Sequence, residues 1–303
     1  MKIVIIGGTG LIGCALSEEL RNRGDEILLI SRDSYSTKSK NKFATRYFKW
    51  DYKTPHQLTE HINNYDAVIN LAGAPIAGKR WNNSYMDKLK SSRIEITEYV
   101  AEAICNCSKK PKVFISSSAT GFYGDVKDKI LNENSNPGND FLAKLCVDWE
   151  NAAENVTAYN IRLVHIRTGV VLTKEGGALK KMLLPYRYFL GGPLGSGNQW
   201  FPWIHIKDEV DAIIFTIDND KIKGPINLTA PNPVTMKDFA KSLGKVLNRP
   251  SFFNLPKLAL RMVVGKVADV LVSSQRAEPK KLLDNGYKFN FAKVEDALKD
   301  LLK

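Results

Sequence analysis

The sequence predicts a doubly wound α/β fold, and three observations carry that prediction. Short runs rich in Val and Ile recur at 2–6, 26–31, 67–71, 112–117 and 161–166. They are near-continuous rather than alternating, as strands of a parallel sheet covered on both faces are. Helical patterns lie between them, the clearest at Leu11 to Arg23, Ser84 to Cys107 and Phe141 to Asn155. Strand–helix–strand order forces right-handed crossovers and hence a parallel sheet. Third, the first run passes at once into GGTGLIG and then into a helix, the context that makes a glycine pattern informative.

The opening MKIVIIGG is strand from its first residues, with no basic leader, long apolar core or small-residue cleavage site, so cytoplasm is the expected compartment. Segment Ser34 to Lys49 is polar and basic and reads as a loop leading into a third strand near Tyr47. After Gly169 the texture changes to Gly- and Pro-punctuated loops, GGPLGSGNQWFPW, with helices starting at Asp208, Met236, Pro256 and Glu278. Residues 1–169 therefore read as the sheet domain and 170–303 as a smaller, interleaved C-terminal substrate lobe, with 226–229 returning to the sheet. A length of 303 residues suits one large core plus such a lobe.

Composition narrows the classes of partner. The most apolar late stretch, Leu258 to Val272, is interrupted by Arg261, Lys266 and Asp269, whose charges are costly in hydrocarbon, so a buried or amphipathic helix and no membrane partner are expected. Cys14, Cys105, Cys107 and Cys146 form no CxxC pair and have no His at metal spacing, so neither a metal site nor a disulfide framework is indicated. The net charge of +12 comes from scattered lysines without a nucleic-acid motif. No nucleic-acid partner is expected, and a basic surface suits an anionic cofactor or substrate equally well.

In the glycine turn, Gly7, Gly10 and Gly13 serve tight turning, close approach to a pyrophosphate and close packing of helix on strand. Thr9 lies within the turn, and the free N–H groups near Leu11 and Ile12 attract the pyrophosphate charge. The pattern is that of a Rossmann-like dinucleotide site. Cys14, in the first helical turn, is either an acidified thiol or a packing residue. The second strand ends at Ile30-Ser31-Arg32, where an NAD-preferring protein would place an acid on the ribose 2′-hydroxyl. Ser31 and the Arg32 guanidinium suit a 2′-phosphate instead, with charge added from Lys38 or Lys40, so NADP is the expected cofactor. The alternative leaves Arg32 as a solvated cation with Asp33 on the ribose. Farther on, Asn70-Leu71-Ala72-Gly73 closes a strand at the adenosine side of the cofactor, and Gly73 permits close approach.

With these residues placed, the chain resembles the extended short-chain dehydrogenase/reductases, and within them an atypical epimerase-like family with a C-terminal domain of unknown function. GGTGLIG, SRD, NLAG with APIAGKRW, SSRIEIT, SSSATGFYGD, DFLAKLCVDWE, IRTGVVLTKEGGAL, GGPLGSGNQWFPWIHIKD, GPINLTAP and PKKLLDNGYKF carry the likeness, in order. It implies a Rossmann-like sheet, bound NADP(H), and a cleft between the sheet and the C-terminal lobe.

The resemblance also assigns roles. Ser118, last of the serine run, stands where relatives bond the reacting oxygen, and Lys144 where they hold the nicotinamide ribose. The Tyr expected four residues before that Lys is Asp140, a carboxylate ionised at neutral pH, which either is a surface partner of Lys144 or stands beside the chemistry without donating its proton. Tyr123 is the nearest substitute, as acid or as pocket lining. Arg93 replaces an active-site Asn, to bind cofactor or an acidic substrate or to stand on a helix surface, with Lys88 a weaker candidate. His205 is either an acid or a structural residue, and Asp208 is expected to cap the next helix. Two functions follow: an NADP(H)-dependent oxidoreductase or epimerase acting on a small polar or sugar-like molecule, and a non-catalytic NADP(H)-binding redox sensor. The helices at 84–107 and 141–157 would form the contact of a homodimer.

Overall fold

The Val- and Ile-rich runs pair into one seven-stranded parallel sheet in a computed structural model that describes residues 1–32 and 38–303. In spatial order the strands are Gly224–Leu228, Arg162–Thr168, Val113–Ala119, Ala67–Asn70, Lys2–Ile6, Glu26–Ser31 and Arg46–Lys49. Ile3 and Ile5 pack with Leu16 of the helix Leu11–Asn22 and Ile213 of the helix Ile206–Asp218. Val4 and Ile6 enter the opposite layer, with Leu58 of the helix Pro55–Ile62 and Val100 of the helix Ile94–Asn106. Burial on both faces is why the first strand shows no alternation. Strand order reverses between Lys2–Ile6 and Ala67–Asn70, and the crevice at that reversal is where such sheets take ligands.

The helix expected to run from Ser84 to Cys107 is broken into Asn83–Ser91 and Ile94–Asn106. Side chains at the break bind a neighbouring loop: Ser92 Oγ accepts from the Ala74 N–H at 3.0 Å, and the Arg93 guanidinium donates to the carbonyls of Ala74 and Leu89 at 2.9 and 3.2 Å. The helix from Phe141 ends at Asn151, and a 3-10 turn, Glu154–Tyr159, replaces its expected last turn. Helix Gly177–Arg187 escaped the periodicity because it starts on a glycine pair and carries Pro185 in its last turn, where proline removes a backbone donor from the helix.

From Gly169 the chain leaves the sheet and returns as Gly224–Leu228, parallel to Arg162–Thr168. The C-terminal part has its own core, built on Trp203, Phe239, Leu243 and Leu298. Asp208 does not cap its helix; the His205 ring does, Nδ1 accepting from the Lys207 N–H at 3.1 Å. Asp208 is fully buried and instead accepts the backbone N–H groups of Asn290 and Phe291 at 2.7 and 2.8 Å, tying the C-terminal segment to the helix.

Glu209, one residue on, is also fully buried, and one of its oxygens accepts the Thr168 hydroxyl at 2.8 Å. Burial pushes its carboxyl up to about 8 against an ordinary 4.5. The folded protein then holds a proton that the unfolded chain releases near its ordinary pKa, so the stability this group contributes is full below that value and is lost as pH rises toward about 8. Urea unfolding of wild type and Glu209→Gln at pH 5 and pH 8 should show the variant gaining on wild type at the higher pH. A difference that is the same at both pH values would show that the carboxyl is not proton-linked to folding.

Candidate functional site

The first strand ends in a turn whose glycines answer to different neighbours. Gly7 has φ of +79°, and a Cβ there would stand 2.7 Å from the Ala72 nitrogen; a Cβ on Gly13 would stand 2.5 Å from Gly8 Cα. Both positions are closed by the protein's own backbone. At Gly10 a Cβ would meet only the Gly7 carbonyl, at an ordinary 3.5 Å. Gly10 is also the N-cap of the helix Leu11–Asn22, with no side-chain cap and no acidic residue in the first turn. The helix thus presents its first N–H groups and positive dipole end in a concavity that a side chain could fill, which fits an anionic group such as a pyrophosphate. Asn41 braces the turn from behind: fully buried, its amide donates to the Gly8 carbonyl at 2.8 Å and to Ser17 Oγ at 2.9 Å. Cys14 Sγ lies 3.6 Å from the Gly8 and Lys40 carbonyls, and burial raises its pKa, so the thiol packs and is not acidified.

Beside this turn, Ser31 is buried at the end of its strand and Arg32 is exposed, its guanidinium 5.8 Å from the centre of the Tyr52 ring. Lys38 and Lys40 are exposed; Asp33 lies outside the described residues. Across the crevice, Asn70 Oδ1 accepts the Ala72 N–H at 3.1 Å while its amide donates to Thr97 at 2.9 Å, which shapes the Leu71-Ala72-Gly73 turn. Arg93 was expected to face the ligand. It is buried against Trp149, 5.0 Å from that ring, and a Cβ on Gly73 would stand 3.3 Å from its guanidinium carbon, so it supports the turn from within. Beyond Gly73 the loop crosses to the C-terminal part, where Lys181 donates to the Ala77 carbonyl and Arg80 to the Met262 carbonyl, each at 3.1 Å.

Ser118 and Tyr123 are drawn into one buried network through Glu150 and Arg167. The Ser118 hydroxyl donates to Glu150 Oε1 at 2.6 Å, and Glu150 is held by a bidentate pair with Arg167 at 2.8 and 2.9 Å. Tyr123 is fully buried; its hydroxyl donates to Asn227 Oδ1 at 2.6 Å and accepts from Arg167 at 3.1 Å. Burial pushes this phenol up to about 12, and its hydroxyl is engaged on both sides within the protein, which fits the pocket-lining alternative better than the acid. Lys144 is exposed. Asp140 is not its ion-pair partner but the N-cap of the helix Phe141–Asn151, accepting the Ala143 N–H at 2.9 Å. His205 is buried, caps its helix and lies 3.2 Å from Asp300, a structural histidine.

Residues 3–228 match the NAD dependent epimerase/dehydratase family, more than half of the chain, and residues 255–301 match a domain of unknown function, DUF1731. The chain belongs to the NAD-dependent epimerase/dehydratase family. Epimerase family protein YfhF of Bacillus subtilis (strain 168) is 38% identical over 305 residues, covering 100% of this chain and 98% of that one. The crystal structure of human epimerase family protein SDR39U1 (isoform 2) with NADPH superposes with a TM-score of 0.90 at 33% identity, covering 99% of each chain. That of a nucleoside-diphosphate sugar epimerase from Corynebacterium glutamicum gives 0.80 at 31% identity, covering 100% of this chain and 58% of the other.

In this member of the family, the polar residues behind the strand ends were the hardest to foresee. Asn41 sits in a polar loop with no periodicity to mark it. Arg167 and Glu150 left one trace, a charge in a strand that also carries Arg162 and His165 and another near a helix end, which burial obliges to pair. Arg276 was also missed: its guanidinium lies 4.4 Å from the Trp200 ring, and its Nε is buried without a hydrogen-bond partner. Among the described residues no group of His, Cys, Asp and Glu is placed to hold a metal ion. Removing the Tyr123 hydroxyl strands Asn227 and one Arg167 donor, so Tyr123→Phe should lose about 1–3 kcal/mol of stability in chemical denaturation. Its dinucleotide affinity should not change; a variant as stable as wild type would show that the network is not under this constraint.

Proposed function

We propose that this chain binds NADP(H) at the glycine turn and acts as an NADP(H)-dependent oxidoreductase or epimerase on a small polar substrate. The observation that carries the cofactor is Gly10, where the protein leaves room for a side chain that the sequence withholds, beside an uncapped helix N-terminus. Bound NADP(H) would supply the hydride donor or acceptor. The N–H groups of Leu11 and Ile12, with Thr9 in the turn, hold the pyrophosphate. Ser31 and Arg32, with Lys38 and Lys40, hold a 2′-phosphate that a free carboxylate would repel. Leu71, Ala72 and Gly73 bound the adenosine side, and Arg93 keeps that turn in place. NADPH in the human relative, 33% identical over nearly the whole chain, supports the same choice.

At the reacting end, Ser118 is oriented by Glu150; its hydrogen is committed there, so it meets a substrate hydroxyl through its lone pairs. Lys144 is the exposed cation available to the cofactor ribose. A second reading, an NADP(H)-binding regulatory protein without turnover, is favoured by one observation: Asp140, at the place of the family's Tyr, is spent on capping a helix.

Calorimetric titration should give tighter binding for NADPH than for NADH, and equal affinities would overturn the 2′-phosphate assignment. Arg32→Ala should weaken NADPH about ten- to a hundredfold, the loss of charge-assisted bonds of roughly 1.5–3 kcal/mol. Gly10→Val should fold, since a Cβ there meets only the Gly7 carbonyl at an ordinary 3.5 Å, and should fail to bind.

Turnover separates the two readings. Across a panel of sugars and small carbonyl compounds followed by nicotinamide absorbance, an enzyme shows one or more substrates; tight binding with no turnover establishes the regulatory reading. With a substrate in hand, Ser118→Ala and Lys144→Ala should each lose about 10²–10⁴-fold in rate at saturating NADPH. Asp140→Asn, which preserves the helix cap, should keep most activity.

A further inference from the structure

We infer that the outer edge of the C-terminal lobe is a docking face for an anionic lipid bilayer. Side chains of a kind that folding normally hides stand out there: Phe252 and Leu258 are each 74% exposed, Val263 70%, Met262 69% and Tyr188 68%. They form one continuous edge. The Phe253 N–H donates to the Gly191 carbonyl and the Leu255 N–H to the Pro193 carbonyl, both at 3.1 Å, so the stretch after the helix Gly177–Arg187 lies against the stretch leading into the helix Lys257–Val264. On that second helix Leu260 turns inward while Leu258 and Met262, four residues apart, face outward together.

The two chain segments that form this edge are basic, although Asp269 beside them is shared by Lys257 and Arg261. Residues 180–191 carry Lys180, Lys181 and Arg187, and residues 249–268 carry Arg249, Lys257, Arg261 and Lys266; neither segment contains an Asp or Glu. The first acid beyond them, Asp269, is already held by Lys257 at 2.8 Å. Arg249 lies over the Phe189 ring at 4.5 Å, so cations and aromatic rings share the surface. A second copy of the chain fits poorly, because a two-fold contact would bring two basic rims together. An anionic bilayer meets both features: headgroups neutralise the rim, and the projecting side chains enter the headgroup–acyl boundary. No helix among the described residues is long and apolar enough to cross a membrane, so the contact is peripheral. This departs from the expectation of no membrane partner, which rested on charges within Leu258 to Val272; those charges argue against spanning and are what a surface contact uses.

Co-sedimentation with vesicles tests the inference. The protein should bind equimolar phosphatidylglycerol–phosphatidylcholine vesicles, ignore pure phosphatidylcholine, and weaken steeply with added salt. Leu258→Ser combined with Phe252→Ser, both 74% exposed, should leave folding and NADPH affinity unchanged and reduce vesicle binding about tenfold or more. Three results would overturn the proposal: no binding to anionic vesicles; binding that this double variant leaves intact, which marks charge adhesion elsewhere on a basic protein; or binding to poly-glutamate without vesicle binding, which assigns the face to an acidic polypeptide. Self-association by sedimentation velocity that the double variant abolishes, with vesicles ignored, would assign it to a second copy.

Discussion

A guanidinium in a protein interior keeps its charge and must be surrounded by acceptors. Arg167 is that group here, almost wholly buried, and much of the molecule is arranged around satisfying it. Glu150 brings the helix Phe141–Asn151 onto the sheet to neutralise it, and Ser118 and Tyr123 are fixed by the same pair. Through Tyr123 the network reaches Asn227 on the edge strand; from there Glu133 accepts the N–H groups of Asn227 and of Lys281, both at 3.1 Å. Segments distant in sequence thus meet at one charge. A buried ion pair adds little stability over an apolar cluster of the same volume, yet leaving either partner alone is strongly destabilising. What the network imposes is one arrangement in preference to others, and the strand ends of the candidate site inherit that precision.

The glycine turn shows the complementary case, where the constraint comes from two sources. Gly7 and Gly13 are fixed by backbone that a Cβ would strike, so they would be required of this turn whatever it bound. Gly10 has no such neighbour, and the helix beginning there has no side-chain cap. A sequence selected for stability alone would place Ser, Thr or Asp at such an N-cap, worth about 1 kcal/mol. Forgoing that cap keeps the N–H groups unoccupied, which is what an anion requires of them.

The sheet was largely legible in the sequence, because parallel strands buried on both faces are continuous apolar runs and five of them stand out in the chain. The glycine turn was legible for the same local reason: strand, turn and helix are contiguous. Less visible were features decided by contacts between distant residues. The break at Ser92 and Arg93 exists because the loop after the preceding strand, Ala67–Asn70, needs their side chains, and nothing within the helix itself announces it. Tyr123 looked like a substitute acid from its position after the serine run; its hydroxyl is claimed by Asn227, more than a hundred residues away. Asp140 invited comparison with a catalytic Tyr, although an Asp immediately before an apolar helical run is also a common N-cap, the role it fills.

The late return of Gly224–Leu228 to the sheet bears on how the chain acquires its structure. During synthesis, Arg162–Thr168 emerges as an open edge, a row of unpaired backbone groups, and stays so until the whole stretch 169–223 has followed. Closing so long a loop costs little more at equilibrium than closing a shorter one, since the entropic penalty grows only logarithmically. The cost falls on time: native pairing waits for non-local contacts, and an exposed parallel edge is meanwhile a template for the wrong partner. The order in which the ribosome releases the strands, rather than the stability of the finished sheet, sets the interval over which that edge stands open.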